Sequence, residues 1–110
     1  MEIINSTENN VSVFELKGRL DTTGSQKAQE IVIPGIPKSG KMIIDMSNCG
    51  YVASSGLRVL LIAAKQSAQL GCKTVLCGLQ PLVNDVMAMT GFEDVLEAFP
   101  TRADALTSLA

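Results

Sequence analysis

The chain contains no histidine and no tryptophan. Histidine is the commonest general base near neutral pH and the commonest metal ligand, so its absence argues against most hydrolytic and metal-assisted chemistry. The three cysteines, Cys49, Cys72 and Cys77, cannot pair completely, and their spacing matches no short paired motif for zinc or thiol exchange. They read as reduced packing thiols. Basic residues are also scarce: nine Lys and Arg stand against eleven Asp and Glu, for a net charge of -2. No basic field exists to gather nucleic acid or anionic lipid. No segment approaches the about 18 uninterrupted apolar residues that a membrane span needs. Met1-Glu2-Ile3-Ile4 lacks the positive leader and apolar stretch of a signal peptide. A cytoplasmic protein is expected, with no cofactor or metal, no direct nucleic-acid contact and no membrane insertion.

What the chain does have is apolar content. Hydrophobic residues make up 46% of its 110 positions and charged ones 18%, the reverse of a disordered composition. One core is expected, with residues 1–110 forming a single domain.

Residues 1–7 and 11–17 are β-rich runs separated by Glu8-Asn9-Asn10, and asparagine tolerates the positive φ of tight hairpins. In the second run Val11 and Val13 share one face while Phe14 and Leu16 share the other, the pattern of a strand covered on both sides. The Gly18–Gly24 segment breaks that run, and Asp21 or Thr22 is placed to cap a helix turning Ala28, Ile31 and Val32 inward. Two prolines and two glycines between Pro34 and Gly40 mark a loop.

Lys41–Met46 reads as a central parallel strand followed by a turn at Ser47–Gly50. From Ser54, the spacing of Leu57, Leu60, Leu61, Ala64 and Ala68 predicts an amphipathic helix, with Gly71 as its stop. Thr74–Gly78 predicts a buried strand, and Pro81 the first turn of a helix presenting Leu82, Val83, Val86 and Met87. Val95–Phe99 reads as a last strand, and Thr101 with Asp104 as a capping box before Ala105, Leu106 and Leu109. Met42, Met46, Met87 and Met89 fall at strand and helix spacings that suit a core. The predicted order is ββαβαβαβα. It implies an α/β fold with a mixed, mostly parallel sheet of four to five strands, an antiparallel N-terminal hairpin and about four helices.

The most informative stretch is Met42–Leu61, in which a strand ending near Asp45 leads through a turn to Ser54-Ser55-Gly56-Leu57 at a helix start. This stretch resembles the STAS domain of bacterial anti-sigma-factor antagonists. The similarity also takes in Gly18–Asp21, Gly71–Cys77 and the Thr90-Gly91-Phe92 turn, and so nearly the whole chain. The resemblance implies a STAS-like fold and a non-enzymatic partner switch. In it the unphosphorylated form binds a regulatory serine kinase that acts as anti-sigma factor, phosphorylation at Ser54 releases it, and a phosphatase restores it. Ser55 is the secondary candidate for the phosphate. The partner-binding residues this implies are Asp21, Thr22, Ser54, Ser55, Gly56 and Arg58. One position departs from the family pattern: Ala53 stands where an acidic residue is usual.

Ser54 and Ser55 also suit plain helix capping, worth about 1 kcal/mol without any regulatory role. Two other functions fit the same sequence. One is a STAS subunit of a lipid or anion transport system, binding an ATPase or membrane partner with no phosphorylation cycle. The other is a small phosphoacceptor using Asp45 at its strand end, although Glu15–Arg19 offers no acidic pair to hold magnesium. Asp45 fits better as an acceptor for the turn that follows it.

Overall fold

In a computed structural model that describes residues 1–110 apart from the side chain of Glu93, the chain opens with the expected hairpin. Strand β1 (Glu2–Glu8) runs antiparallel to β2 (Val11–Leu20), and Glu8 faces Val11 across the turn. Asn9 and Asn10 have φ of 51° and 64°, the left-handed pair that a two-residue hairpin demands.

Beyond the hairpin, β3 (Lys41–Asp45), β5 (Lys73–Cys77) and β6 (Ala98–Phe99) add in parallel, giving the spatial order β1-β2-β3-β5-β6. A sixth strand, β4 (Cys49–Val52), pairs with the far end of β2. The sequence placed only a turn at Ser47–Gly50 and four to five strands overall. The difference originates at Gly18, whose φ of 119° and the register shift beside it bend β2 away from β3. The last residues of β2, Gly18–Leu20, then take a new neighbour. In the other direction the last strand contracts, since only Ala98 and Phe99 pair out of the expected Val95–Phe99.

Period-two alternation then divides the core into two layers. Phe14, Leu16, Met42, Ile44 and Leu76 point to one face, beneath α1 (Thr22–Val32), α2 (Ser54–Gln69) and α3 (Pro81–Met89). Val11, Val13, Ile43, Val75 and Cys77 point to the other, beneath α4 (Arg102–Leu109) with Ala105 and Leu109. Burial on both sides is why these strands carry continuous apolar runs. All three cysteines are buried and unpaired.

The helix ends follow local chemistry. Asp21 caps α1 by accepting from the Gly24 amide at 2.8 Å, and Thr101 caps α4 by accepting from the Asp104 amide at 3.1 Å. Gly71 and Gly91, at φ of 68° and 70°, supply the left-handed residues that end α2 and α3.

Several residues expected in the core lie outside it. Ile31 is 37% exposed, Leu82 74% and Met89 86%. In α2 the fully buried stripe is Gly56, Val59, Leu60, Ala63 and Ser67, whereas Leu57, Leu61 and Ala64 pack only at its margin and Ala68 is exposed. The predicted stripe was rotated by about one residue, because small residues carry no hydrophobic signal yet are what closely packed helices bury. Among the described residues no helix is long and apolar enough to cross a membrane.

Candidate functional site

The ends of β2, β3 and β4 converge with the starts of α1 and α2 on one corner. Asp45 closes β3 and is 4% exposed; its Oδ1 accepts from the Ser47 amide at 2.9 Å and the Ser47 hydroxyl at 2.7 Å. The turn that these bonds hold sends the chain into β4 and then to Ala53, whose amide donates to the Leu20 carbonyl at 3.0 Å. Helix α2 starts one residue later.

Two glycines allow the helix starts to crowd the end of β2. A Cβ on Gly56 would lie 2.7 Å from the Leu20 carbonyl oxygen, and one on Gly24 would collide with the Arg19 carbonyl. Gly56 is therefore buried structure at the base of the corner, and the partner-binding role expected for it is not carried by exposed surface.

Capping differs from the sequence expectation. The N-cap of α2 is Ala53, no side chain caps the helix, and Ser54 and Ser55 are its first two residues. The first-turn amides thus face outward without a side-chain acceptor. Ser54 is exposed and makes no side-chain hydrogen bond among the described residues. Ser55 is half-buried, and its Oγ accepts from the Ser25 hydroxyl of α1 at 3.2 Å.

Between the two helices lies a groove of about 230 Å³ lined by the polar residues Thr22, Ser25, Gln26, Gln29, Ser55 and Arg58 together with Val59. Three of the residues expected to meet a partner, Thr22, Ser55 and Arg58, share it. Asp21 belongs instead to a neighbouring cavity with Arg19 and Lys27, where its Oδ2 is 3.9 Å from the Arg19 Nε. A second, more apolar groove of about 280 Å³ runs along the other side of α2, between Leu57, Leu61, Phe92 and Val95, and also reaches Arg58.

The sequence did not reveal five long-range contacts. Arg19 lies 4.2 Å above the Tyr51 ring, a cation–π pairing that exists because β4 stands beside β2. Ser25 meets Ser55 across thirty positions of sequence. Arg102 reaches Asp45, Glu8 and Glu15 from α4, at 2.8, 3.0 and 3.3 Å. No local pattern announces contacts of this kind.

Burial, Ser47 and Arg102 together set the ionisation of Asp45. Burial alone pushes its carboxyl upward, but the two bonds from Ser47 and the pairing with Arg102 outweigh burial and hold it below its ordinary value. Cys77, buried beside this carboxylate, is pushed up to about 12 by desolvation and then by Asp45. A carboxylate already engaged by Ser47 and Arg102 is poorly placed to attack phosphorus, which weighs against the Asp45 phosphoacceptor.

A mixed β-sheet flanked by four helices, with an exposed serine at a strand-to-helix corner, defines a small α/β domain. The family model described as "STAS domain" matches residues 2–105, and the chain belongs to that family. It is 31% identical over 86 residues to a candidate anti-sigma factor antagonist, BtrV, of Bordetella bronchiseptica, covering 77% of this chain and 72% of the relative. Its fold matches an anti-sigma-factor antagonist (STAS) domain protein of Planctomyces limnophilus at a TM-score of 0.88, with 21% identity over 98% of this chain and 97% of that one. It also matches the Bacillus cell fate determinant SpoIIAA in its phosphorylated form, at a TM-score of 0.72 and 18% identity over 99% and 100% of the two chains.

Proposed function

We propose that the chain is an anti-sigma-factor antagonist working in a partner switch. Unphosphorylated, it binds a serine kinase that doubles as an anti-sigma factor and so frees the sigma factor or other effector held there. Phosphorylation of Ser54 by that kinase releases the antagonist, and a phosphatase restores it. The chain is a substrate in this cycle and not an enzyme, and it acts in the cytoplasm.

The observation that carries this reading is the exposed, unengaged hydroxyl of Ser54 on the first residue of α2. Magnitudes explain why such a position makes a switch. A phosphate adds roughly -1.5 to -2 charges. At the uncapped start of α2 the helix dipole favours that charge by about 0.3–1 kcal/mol, so the fold tolerates it. Under a docked partner the same dianion loses its water, and an unpaired buried charge costs several kcal/mol, where about 4 kcal/mol is a thousandfold in affinity. Modification therefore ejects the partner and leaves the domain folded.

The surroundings of Ser54 suit docking. A groove lined mostly by polar residues lies on one side of α2 and a more apolar one on the other, with Arg58 lining both. Leu82 and Met89 are seven positions apart on α3, share a face and stand exposed, adding apolar surface that a partner can cover.

The test is to purify the chain from its native host, map phosphate by mass spectrometry and identify the proteins that accompany it. Phosphate on Ser54 and a serine kinase are expected. Ser54→Ala should bind that kinase as the unmodified protein does, and Ser54→Asp at least about 100-fold more weakly. If both variants bind like wild type, the switch is lost and only a binding scaffold remains. A transport ATPase in place of the kinase would favour the transport-subunit reading.

A further inference from the structure

The pair Ser54-Ser55 presents a kinase with two adjacent hydroxyls, yet the structure treats them differently. Ser54 is exposed and free, whereas Ser55 turns into the α1–α2 groove and accepts a hydrogen bond from Ser25. We propose that Ser25 is the specificity-determining residue that holds Ser55 back and leaves Ser54 as the preferred phosphoacceptor. This inference rests on the reading of Ser54 as the modified residue.

Ser25 is well built for the task. It is 3% exposed, and its amide donates to the Asp21 carbonyl at 2.7 Å. The residue before it, Gly24, is clamped against the Arg19 carbonyl with no room for a Cβ. The hydroxyl is thus aimed from a point fixed to the end of β2. Its bond to Ser55 is the only side-chain hydrogen bond between α1 and α2 among the described residues. Because the cap position of α2 is Ala53 and makes no side-chain bond, the same contact adds a side-chain tether to the backbone bond that holds that helix's start to Leu20.

The chemistry explains why a hydrogen bond protects. In phosphoryl transfer from a nucleoside triphosphate, a serine Oγ lone pair forms the new O–P bond to the γ-phosphorus. The bond to the β–γ bridging oxygen breaks, the diphosphate leaves, and the hydroxyl proton passes to a base on the kinase. The nucleophile must stand in line at roughly 3–3.5 Å. Ser55 has one lone pair engaged by Ser25 and its Oγ directed at α1, so an in-line approach to it first costs that hydrogen bond. Ser54, one residue earlier and about 100° around the helix, has an exposed Oγ that no side chain engages among the described residues.

The experiment compares phosphate on four chains expressed in the native host and mapped by mass spectrometry: wild type, Ser54→Ala, Ser54→Ala with Ser25→Ala, and Ser54→Ala with Ser25→Thr. Wild type should carry phosphate on Ser54, and Ser54→Ala only a low level on Ser55. Adding Ser25→Ala should raise Ser55 phosphate about 2- to 12-fold, the range that one neutral hydrogen bond controls. Ser25→Thr keeps the hydroxyl and should return Ser55 to the protected level. Equal Ser55 phosphate in all three Ser54→Ala chains overturns the proposal.

A measurement that needs no kinase accompanies it. The χ1 couplings of Ser55 by NMR should report one rotamer in wild type and Ser25→Thr, and averaging in Ser25→Ala. Averaging already present in wild type, or absent in Ser25→Ala, overturns the proposal by itself. Wild-type protein free of phosphate overturns the switch on which the inference rests, and the couplings then still decide whether Ser25 holds Ser55.

Discussion

Arg102 and Asp45 stand fifty-seven positions apart in the sequence and meet with the guanidinium Nε donating to the carboxylate Oδ2 at 2.8 Å. The pair binds the start of α4 to the end of β3, and the same carboxylate holds the Ser47 turn that leads to β4 and α2. One side chain thus joins the far face of the sheet to the corner that carries Ser54.

Asp45→Asn should lower stability at pH 7 by about 1–3 kcal/mol, the cost of neutralising a buried carboxylate whose half-buried guanidinium partner keeps two other carboxylates. The pH dependence has a definite sign. Unfolded, Asp45 takes up its proton near its ordinary value; folded, it does so only at lower pH. Its contribution is full above the unfolded value and disappears as pH falls through the folded one. Denaturant melts at pH 7 and pH 3 should show the gap between wild type and variant narrowing in acid; a constant gap removes the charge from the explanation.

Ala53→Asp should stabilise the protein. Ala53 has the extended backbone of an N-cap and no side chain able to accept a first-turn amide. A carboxylate there is worth about 1 kcal/mol, or roughly 4–8 °C in Tm for a domain near this size. Calorimetry decides it, and an unchanged Tm means those amides are already satisfied by water at no cost.

Gly56→Ala should be costly and Gly50→Ala harmless. The new methyl at Gly56 meets the Leu20 carbonyl oxygen at 2.7 Å and Leu20 Cγ at 2.8 Å, whereas at Gly50 the nearest atom is Gln80 Oε1 at 3.5 Å. Losses of about 1–3 kcal/mol and under about 0.5 kcal/mol are expected respectively. Equal melting curves for the two variants contradict the close approach of α2 to β2.

Cys77 should resist iodoacetamide in the folded protein at pH 8, since a thiol pushed up to about 12 has almost no thiolate there and the side chain is buried. It should label fully in guanidinium. Rapid labelling without denaturant would mean that the contact between α4 and the sheet opens readily.

Leu82→Ser together with Met89→Ser should leave stability within about 0.5 kcal/mol, as both side chains are largely exposed. Partner binding should nevertheless weaken at least tenfold, readable by calorimetric titration against the kinase. Unaltered affinity places α3 outside the interface.

Much of the fold can be read in the residues themselves. The positive φ tolerated by Asn9 and Asn10, the capping oxygens of Asp21 and Thr101, and the stops at Gly71 and Gly91 are local facts, and each appears where expected. Strand β4 is different. Cys49-Gly50-Tyr51-Val52 is short and exposed in its middle, and it becomes a strand only because β2, bent at Gly18, offers an unpaired edge. The α2 stripe shifted for a related reason: two candidate faces one residue apart differ by about 100° of rotation, and only contact with the sheet selects between them. Of the α3 residues expected in the core, Val83 and Met87 are buried, whereas Leu82 and Met89 carry the right hydrophobicity but stand exposed.

The sequence by itself determined the fold class and the position of the candidate site in the chain, because strand alternation, helix starts and the Ser54-Ser55-Gly56 turn depend on interactions within a few residues. Only the tertiary structure decided which serine is free, which acid is buried and what Arg102 holds. Those outcomes depend on atoms separated by tens of positions along the chain, and they exist only once the sheet has brought their backbones together.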